Sequence, residues 1–511
     1  MGATFVAAMG LLLKADVMIA LLVGTMGGIV IGALPGFSAS MGVALLIPIT
    51  FGMHPVAGLV MLTAVYTSAI YGGSITATLC HTPGTPASAA TAIDGYQLTL
   101  KGRGMEAVGV GTVASMIGGI VGALALLFIA PPLGVFSLRF AALEFFLLAI
   151  FGITVMASLA GENVIKGIFS GILGLFLGTF GLDLITGVPR FTFGRIAMED
   201  GINFVPALIG MFSIAQVVSM AADIAKGRES IVLTDKITGR VLPPWTEFKT
   251  LIPTIVRSSI IGTIVGIIPA AGAGISSWVC YSLGKSFSKK PELFGKGAME
   301  GVASSETGNN AATGGALVPL FTLGLPGSGV AAILLGGLMI HGLVPGSGMY
   351  TTNAATTYAI SLGFLFSNVL MGIIGLCAAR WVARISQIKA GILCPVIVAL
   401  STIGCFAIRN NMFDVYVMLV FGAIGYLLKI TGFAPPPMVL GMVLSPIAES
   451  NWRRALILSR GNMLNYFLSR PISIVLALFV VTSLFSPVLM NAVNKKSRAV
   501  AEENKDASTT H

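Results

Sequence analysis

Residues Gly28–Ser40 read G-I-V-I-G-A-L-P-G-F-S-A-S, and residues Gly262–Gly274 read G-T-I-V-G-I-I-P-A-A-G-A-G. Gly28, Gly32 and Pro35 match Gly262, Gly266 and Pro269 at one constant offset. A second pair follows downstream: His81–Ala89 (H-T-P-G-T-P-A-S-A) answers Gly324–Ala332 (G-L-P-G-S-G-V-A-A). Pro83, Gly84, Thr85 and Ala89 thereby fall on Pro326, Gly327, Ser328 and Ala332. Each block sets Pro and Gly into an apolar stretch, where Pro removes a helical hydrogen bond and clashes with the preceding turn. Duplicated breaks of this kind predict two repeats with a binding site between them, the sequence pattern of a secondary transporter.

The surrounding composition demands a membrane. Of 511 residues, 55% are apolar and only 10% charged, and the mean hydropathy is +0.93. Apolar runs recur at Ala107–Ala130, Phe145–Leu159, Ile168–Leu182, Ala354–Ala378, Ile392–Ile408, Phe413–Leu428 and Ile472–Leu489. Each approaches the roughly 20 helical residues that span a hydrocarbon core. An all-α polytopic chain of about 10–12 membrane segments is expected, with no large soluble domain. The net charge of +10 is read as Lys and Arg in cytoplasmic loops, not as a nucleic-acid surface. Lys14 follows the first apolar stretch instead of preceding it, which argues against a cleaved signal. Cys80, Cys280, Cys377, Cys394 and Cys405 lie in or beside apolar runs without Cys-x-x-Cys spacing, so reduced thiols are expected. The scattered histidines offer no metal spacing, and no phosphate-binding loop or nucleophile elbow occurs. An enzyme, an ATP-driven pump and a bound cofactor are all disfavoured.

The Lys and Arg distribution predicts how the repeats are oriented. The long polar loop holds Lys226, Arg228, Lys236, Arg240 and Lys249 and is placed in the cytoplasm. The first hairpin ends at Phe51–Val56 without a basic residue, whereas the second ends at Lys285, Lys289, Lys290 and Lys296. The first Pro-Gly-Thr segment is followed by Lys101 and Arg103, whereas Gly346–Thr352 has no basic residue. Both comparisons reverse, so the repeats are expected to be inverted, with re-entrant hairpins and broken helices. The expected division is a first repeat over 1–222 (hairpin about 17–51, broken helix about 56–100) and a cytoplasmic loop over 223–250. A second repeat covers 251–430 (hairpin about 251–285, broken helix about 300–345). C-terminal amphipathic and membrane segments over 431–490 and a polar tail over 491–511 complete it. Pro435-Pro436-Pro437 is expected to interrupt a helix, and Trp452–Arg470 reads as a basic surface helix.

Broken helices bind polar solutes in lipid because their free N–H ends attract anions and their free C=O ends attract cations. The candidate site residues are therefore Pro35, Gly36, Ser38 and Ser40 at the first hairpin and Thr82, Pro83, Gly84 and Thr85 at the first broken helix. Gly272 and Gly274, then Pro326, Gly327 and Ser328, are their counterparts. The glycines alone, Gly24 and Gly28 above all, are read as packing positions. The richest polar string is Ser304-Ser305-Glu306-Thr307-Gly308-Asn309-Asn310, ahead of the apolar run Ala311–Leu325. It is either a capping run outside the membrane or part of the site, and the site is preferred for Ser304, Ser305, Glu306, Thr307, Asn309 and Asn310. Glu306 stands open between an ion or proton ligand and a first-turn carboxylate. His81 is read as a structural hydrogen-bonding group. Lys14, Asp16, Asp94, Arg139, Glu144, Glu162 and Asp183 are read as boundary residues. Ser38, Thr85, Ser305, Thr307 and Ser328 form a neutral oxygen set suited to Na⁺, which makes sodium the expected coupling ion, with H⁺ through Glu306 or His81 as the alternative.

At these residues the chain resembles the large membrane subunit, TctA, of the tripartite tricarboxylate transporter family. The strings that carry the resemblance are Gly32-Ala33-Leu34-Pro35-Gly36, Tyr71-Gly72-Gly73-Ser74, Pro83-Gly84 and Asp94-Gly95-Tyr96. Further on come Phe294-Gly295-Lys296-Gly297, Glu300-Gly301-Val302-Ala303, Asn309-Asn310-Ala311-Ala312, Gly314-Gly315-Ala316 and Ile340-His341-Gly342-Leu343 with Pro345-Gly346. The resemblance implies a multi-pass protein of the bacterial inner membrane that imports citrate-like di- and tricarboxylates by sodium or proton symport. It also implies two partners, a small membrane subunit (TctB-like) and a periplasmic solute-binding protein (TctC-like). Two departures stand out: His81, Thr82 and Thr85 replace the Asn and acid common around the first Pro-Gly, and Pro269-Ala270-Ala271-Gly272 replaces Pro-Gly-Ala-Gly. The competing expectation is a channel or scaffold subunit that does not couple transport.

Overall fold

Gly at every fourth position gives an apolar helix a flat stripe on which another backbone can lie, and this chain uses such stripes twice. The computed structural model describes residues 2–34, 37–82, 84–159, 164–183, 185–226, 239–269, 271–385 and 390–484. The first repeat opens with α1 (Gly2–Leu12) and α2 (Ala15–Ala33), breaks, and returns through α3 (Ala39–Thr50). α4 (Pro55–Cys80) has 26 residues, about 39 Å at 1.5 Å per residue. It ends at His81, which adopts the left-handed conformation with φ 54°. The chain then dips inward to Thr85 and a 3₁₀ turn at Pro86–Ser88, and α5 (Ala89–Leu100) runs back out. Thr99 Oγ1 donates to Thr78 O at 2.7 Å, which places the end of α5 beside the end of α4. α6 (Gly104–Phe128) completes this unit.

A peripheral group follows: α7 (Ala130–Phe136), α8 (Ala142–Leu159) and α9 (Val164–Leu177). A two-residue ladder pairs Gly181–Leu182 with Pro189–Arg190. α10 (Phe204–Ile209) and α11 (Ala215–Ala225) join through a π turn at Gly210–Ile214. The second repeat repeats the first plan. α12 (Trp245–Ile267) and α13 (Gly272–Phe287) form the hairpin, and α14 (Met299–Leu323) crosses the molecule. Gly324 caps α14 in the left-handed region at φ 71°, as His81 caps α4, and Ser328 opens α15 (Gly329–Ile340). The short α16 (Ser347–Tyr350) leads to α17 (Ala354–Ile385). α18 (Ala390–Arg409), α19 (Met412–Ile430), α20 (Pro435–Leu458), α21 (Met463–Leu468) and α22 (Pro471–Leu484) close the described chain.

Matched residues make matched contacts. In α2, Gly28 lies on Val65 and Ser68 and Gly32 lies on Ala69; in α12, Gly262 lies on Gly308 and Ala311 and Gly266 lies on Ala312. Gly84 is wedged against Gly32 O and Gly73, and Gly327 against Gly266 O and Ala316. These seven pairs of positions correspond under the registers that align the two pairs of breaks. The arms then cross between repeats. His341, at the end of α15, lies against Gly58 at the start of α4, while Asp94 on α5 accepts from the N–H of Ala298 at the start of α14. α4 and α14 therefore run in opposite directions, the arrangement of an inverted repeat. The equivalent packing covers α2–α6 and α12–α17.

Among the described residues, eight helices are long and apolar enough to cross a membrane, with six shorter apolar helices beside them. Half-length arms such as α3 and α15 account for much of the difference from the sequence expectation of segments of near-spanning length. α14 has the length but not the hydropathy. It is buried from Gly301 to Thr322, so its polar side chains meet protein and not lipid.

Of the two readings of Ser304–Asn310, the capping run outside the membrane falls away, because α14 starts at Met299 and the string occupies its interior, fully buried. Two further expectations need correction. Pro435-Pro436-Pro437 does not interrupt a helix; it forms the first turn of α20, where a missing N–H costs no hydrogen bond. Trp452–Arg470 is not one surface helix, since it comprises the last turns of α20, a turn and α21. Asp94 and Glu144, read as boundary residues, are both 0% exposed. Arg470 and Ser473 hold Glu144 at 2.5 and 2.6 Å. Glu162 and the tail over 491–511 lie outside the described residues.

Candidate functional site

The four breaks meet around one cavity of about 190 Å³. Ser38, Ala39 and Ser40 come from the first hairpin and Ala271, Gly272, Ala273 and Gly274 from the second. Thr85, Pro86 and Ala87 come from the first inward dip, and Ser328, Gly329 and Val330 from the second; Tyr66 and Ile70 on α4 complete the wall. The sequence explains the convergence. Each break is followed at once by a new helix, so the starts of α3, α13 and α15 and of the turn entering α5 all face this space. A helix start presents unpaired N–H groups and a positive dipole end. Ser38 Oγ accepts from Met41 N–H at 3.1 Å and Ser328 Oγ from Ala331 N–H at 3.1 Å, which caps two of them. No side chain caps α13, whose start at Gly272 adopts φ +57°. A Cβ on Gly274 would meet nothing within 4 Å, so the space beside this start is open. Among the described residues, no Lys or Arg lines the cavity.

Behind the wall lies a second polar cluster on α14. The Glu306 carboxylate accepts from Thr91 Oγ1 at 2.5 Å, Ser115 Oγ at 2.9 Å and Asn309 Nδ2 at 3.1 Å. Thr91 Oγ1 also lies 2.8 Å from Ser305 Oγ. Asn309 Nδ2 reaches Ala87 O at 3.4 Å, which links the cluster to the cavity wall. Asn310 Nδ2 donates to Ser115 O at 3.3 Å and lies 3.5 Å from Thr67 Oγ1, itself a donor to Asn368 Oδ1 at 2.8 Å. Glu306 is 0% exposed and makes no ion pair within the described residues. A carboxylate placed so is costly unless a proton or a cation accompanies it.

The structure thus divides the candidate residues. Ser38, Ser40, Thr85, Gly272, Gly274 and Ser328 line the cavity, while Ser305, Glu306, Asn309 and Asn310 form the cluster behind it. Ser304 and Thr307 spend their hydroxyls on Gly301 O and Ala303 O of their own helix. Thr82 bonds Cys80 O at the end of α4, and Gly84 and Gly327 are packing wedges. Pro326 does not line the cavity. Pro35, Gly36 and Pro83 lie outside the described residues. Gly24 and Gly28 pack on α4 as the sequence predicts. His81 stacks on Tyr96 at 4.6 Å and stays outside the site. Sequence reasoning missed Tyr66, Thr67, Thr91 and Ser115. A signal for two of them existed: carrying the repeat register along α4 puts Tyr66 and Thr67 opposite Asn309 and Asn310.

One more polar group joins the repeats. Asp94 Oδ1 accepts from the N–H groups of Gly295, Gly297 and Ala298 at 2.8, 2.8 and 2.9 Å, and Oδ2 accepts from Tyr281 Oη at 2.9 Å. α5 is thereby latched to the loop ahead of α14. The matching contact on the other face is a single 3.2 Å approach of His341 Nε2 to Thr50 Oγ1.

Two sets of broken helices that meet at one cavity, within a chain of eight spanning-length apolar helices among the described residues, define an all-α polytopic membrane protein. The family profile "Tripartite tricarboxylate transporter TctA family" matches residues 18–440, and the chain belongs to that family. Membership makes it a tricarboxylate transporter component. It is 38% identical over 487 residues to a 52.8 kDa protein of Agrobacterium vitis described by its place in the TAR-I ttuC′ 3′ region, over 94% of this chain and 95% of that one. A second Agrobacterium vitis protein, from the TAR-II ttuC′ 3′ region, is 36% identical over 243 residues, which is 48% of this chain and all of that one. No solved structure matches.

Proposed function

We propose that the chain is the large subunit of a binding-protein-dependent importer of di- and tricarboxylates, driven by cation symport with alternating access. The observation that carries this reading is the cavity at which three helix starts and a turn converge with no Lys or Arg among the described lining residues. Helix N-termini and hydroxyls are the means by which a membrane site takes a carboxylate without a fixed positive charge. A cavity of about 190 Å³ suits a small solute, since drug-sized ligands need about 300 Å³ or more. The cation is assigned as Na⁺ because neutral oxygens face the cavity, with H⁺ carried by Glu306 as the alternative. The face bearing Lys101, Arg103, Lys285, Lys289, Lys290 and Lys296 is taken as cytoplasmic in a bacterial inner membrane. A TctB-like small subunit and a TctC-like periplasmic binding protein are the partners in this reading, and surrounding lipid meets the apolar periphery. No enzymatic step is assigned.

Reconstitution of the complex with its binding protein tests this reading. Labelled citrate or a related dicarboxylate should accumulate when an inward Na⁺ gradient is imposed at equal pH on both sides. Accumulation driven only by a pH gradient would assign the coupling to H⁺. Passage that only equilibrates the substrate under either gradient would establish the channel reading instead.

A further inference from the structure

The repeat register exposes one place where the two halves differ in chemistry. Tyr66 on α4 corresponds to Asn309 on α14, and Ser328 corresponds to Thr85. On one side Tyr66 Oη and Ser328 Oγ share a hydrogen bond of 3.0 Å. On the other side the shorter Asn309 makes no such bond. Asn309 Oδ1 and Thr85 Oγ1 are both buried and complete no hydrogen bond among the described residues; Thr85 Oγ1 faces the Ser88 N–H in a capping-box arrangement that stops short of a side-chain cap bond. Asn309 is 0% exposed and Thr85 3%. The orientation of the amide follows from its network: Nδ2 faces two acceptors, Glu306 Oε1 and Ala87 O, so Oδ1 is the atom turned away from them. Two orphaned buried oxygens destabilise the fold unless something satisfies them.

An amide carbonyl oxygen accepts and cannot donate, so it is repelled by a carboxylate and satisfied by a cation. The nearby charge agrees, because Glu306 accepts from the Asn309 amide and makes no ion pair among the described residues. The Tyr66 side has the opposite character. Ser328 Oγ already accepts from Ala331 N–H, so whichever hydroxyl donates in the Tyr66–Ser328 bond, one hydroxyl proton of the pair remains to be given.

We propose that Asn309 Oδ1 and Thr85 Oγ1 are ligands of a Na⁺ ion whose charge is balanced by Glu306, while the Tyr66–Ser328 pair donates to a carboxylate of the substrate on the opposite wall. This rests on the reading of the chain as a cation-coupled carboxylate importer and assigns that coupling to one broken symmetry. Cation and anion then occupy matched positions of the two repeats within one cavity system. Their attraction makes binding of each favour the other, by the same factor in both directions.

Binding to the purified full-length chain tests this without transport. Thermal unfolding is followed against NaCl at constant ionic strength with choline chloride. Na⁺ should stabilise the parent, and Thr85→Val should weaken the Na⁺ response about tenfold or more, the loss of one contact to a charged group. Thr85→Ser should restore it, Asn309→Leu should abolish it, and Tyr66→Phe should leave it intact while weakening citrate binding. Thr85→Val and Asn309→Leu variants that unfold like the parent in choline yet keep its Na⁺ response would overturn the site. A parent that ignores Na⁺ would overturn it too. In that case uptake by the reconstituted complex under a pH gradient would show that the transport reading survives.

Discussion

Asp94 shows what a single residue can do when its charge is fully spent. Three backbone N–H groups and the Tyr281 hydroxyl converge on its carboxylate, all within 2.9 Å. Hydrogen bonds to a charged group are worth about 1.5–3 kcal/mol, roughly twice those to a neutral one. Asp94→Asn keeps the shape and removes the charge, so the latch between α5 and the 294–298 loop should weaken without unfolding the chain. The expected result is a transport rate lowered about tenfold at normal membrane insertion. A cysteine at Ser40 should also become more reactive from the Lys-rich face; unchanged rate and reactivity would reduce Asp94 to a structural cap. Asp94→Ala strands three backbone donors and should lower the unfolding midpoint as well. The sequence could not disclose this role. An acid at the edge of an apolar run looks the same whether water or four donors surround it, and the donors come from about 200 positions away. Glu306 was ambiguous for the same reason. Ser304 and Thr307 looked like ligands because a hydroxyl bonded to its own helix reads no differently from a free one.

At the scale of elements, the breaks were the legible part. Pro and Gly act locally, so their spacing alone fixed where helices end and made the duplication visible. Whether a given Gly binds solute or admits a neighbouring backbone depends on tertiary contact and was not legible. The structure separates these cases. Gly84 and Gly327 each touch a carbonyl oxygen of the facing hairpin, Gly32 O and Gly266 O, whereas Gly274 faces open space in the cavity. Gly84→Val and Gly327→Val should therefore overpack the junction, at about 1–3 kcal/mol each, seen as a lower unfolding midpoint. Gly274→Ala should leave that midpoint unchanged and raise the KM for substrate by narrowing the cavity. An unfolding penalty at Gly274 equal to that at Gly84 would place it among the packing positions instead.

At the scale of the whole molecule, the two faces differ in how their charges are used. One face carries Lys101, Lys285, Lys289, Lys290 and Lys296, with Arg103 among them paired to Glu106 and Glu247. On the other, Arg side chains are tied to acids: Arg453 and Arg190 to Asp183 and Glu449, Arg409 to Asp414, and Arg470 to Glu144. Asp183, in the loop after α9, also accepts from the N–H groups of Ile185 and Thr186. The Thr186 N–H, then Arg453 and the Ile185 N–H hold its carboxyl well below the usual carboxylate range. A group whose folded value is depressed stabilises the fold above its unfolded value of about 3.9 and loses that contribution as pH falls further. The parent should thus lose unfolding temperature below about pH 4 by a component that Asp183→Asn lacks, with Asp183→Asn already less stable at pH 7. The asymmetry of charge also bears on sidedness. By the positive-inside bias, the proposed orientation puts the Lys-rich face in the cytoplasm and the Phe51–Val56 turn outside. The inverted repeat makes this a sharp expectation, because His54 ends the first hairpin and Lys289 ends the second, and both side chains are exposed. With the exposed Cys377 replaced by Ser, a cysteine at position 54 should react with an impermeant maleimide from outside intact cells. One at position 289 should react only in inside-out vesicles; labelling of both positions from one side would refute the inverted arrangement.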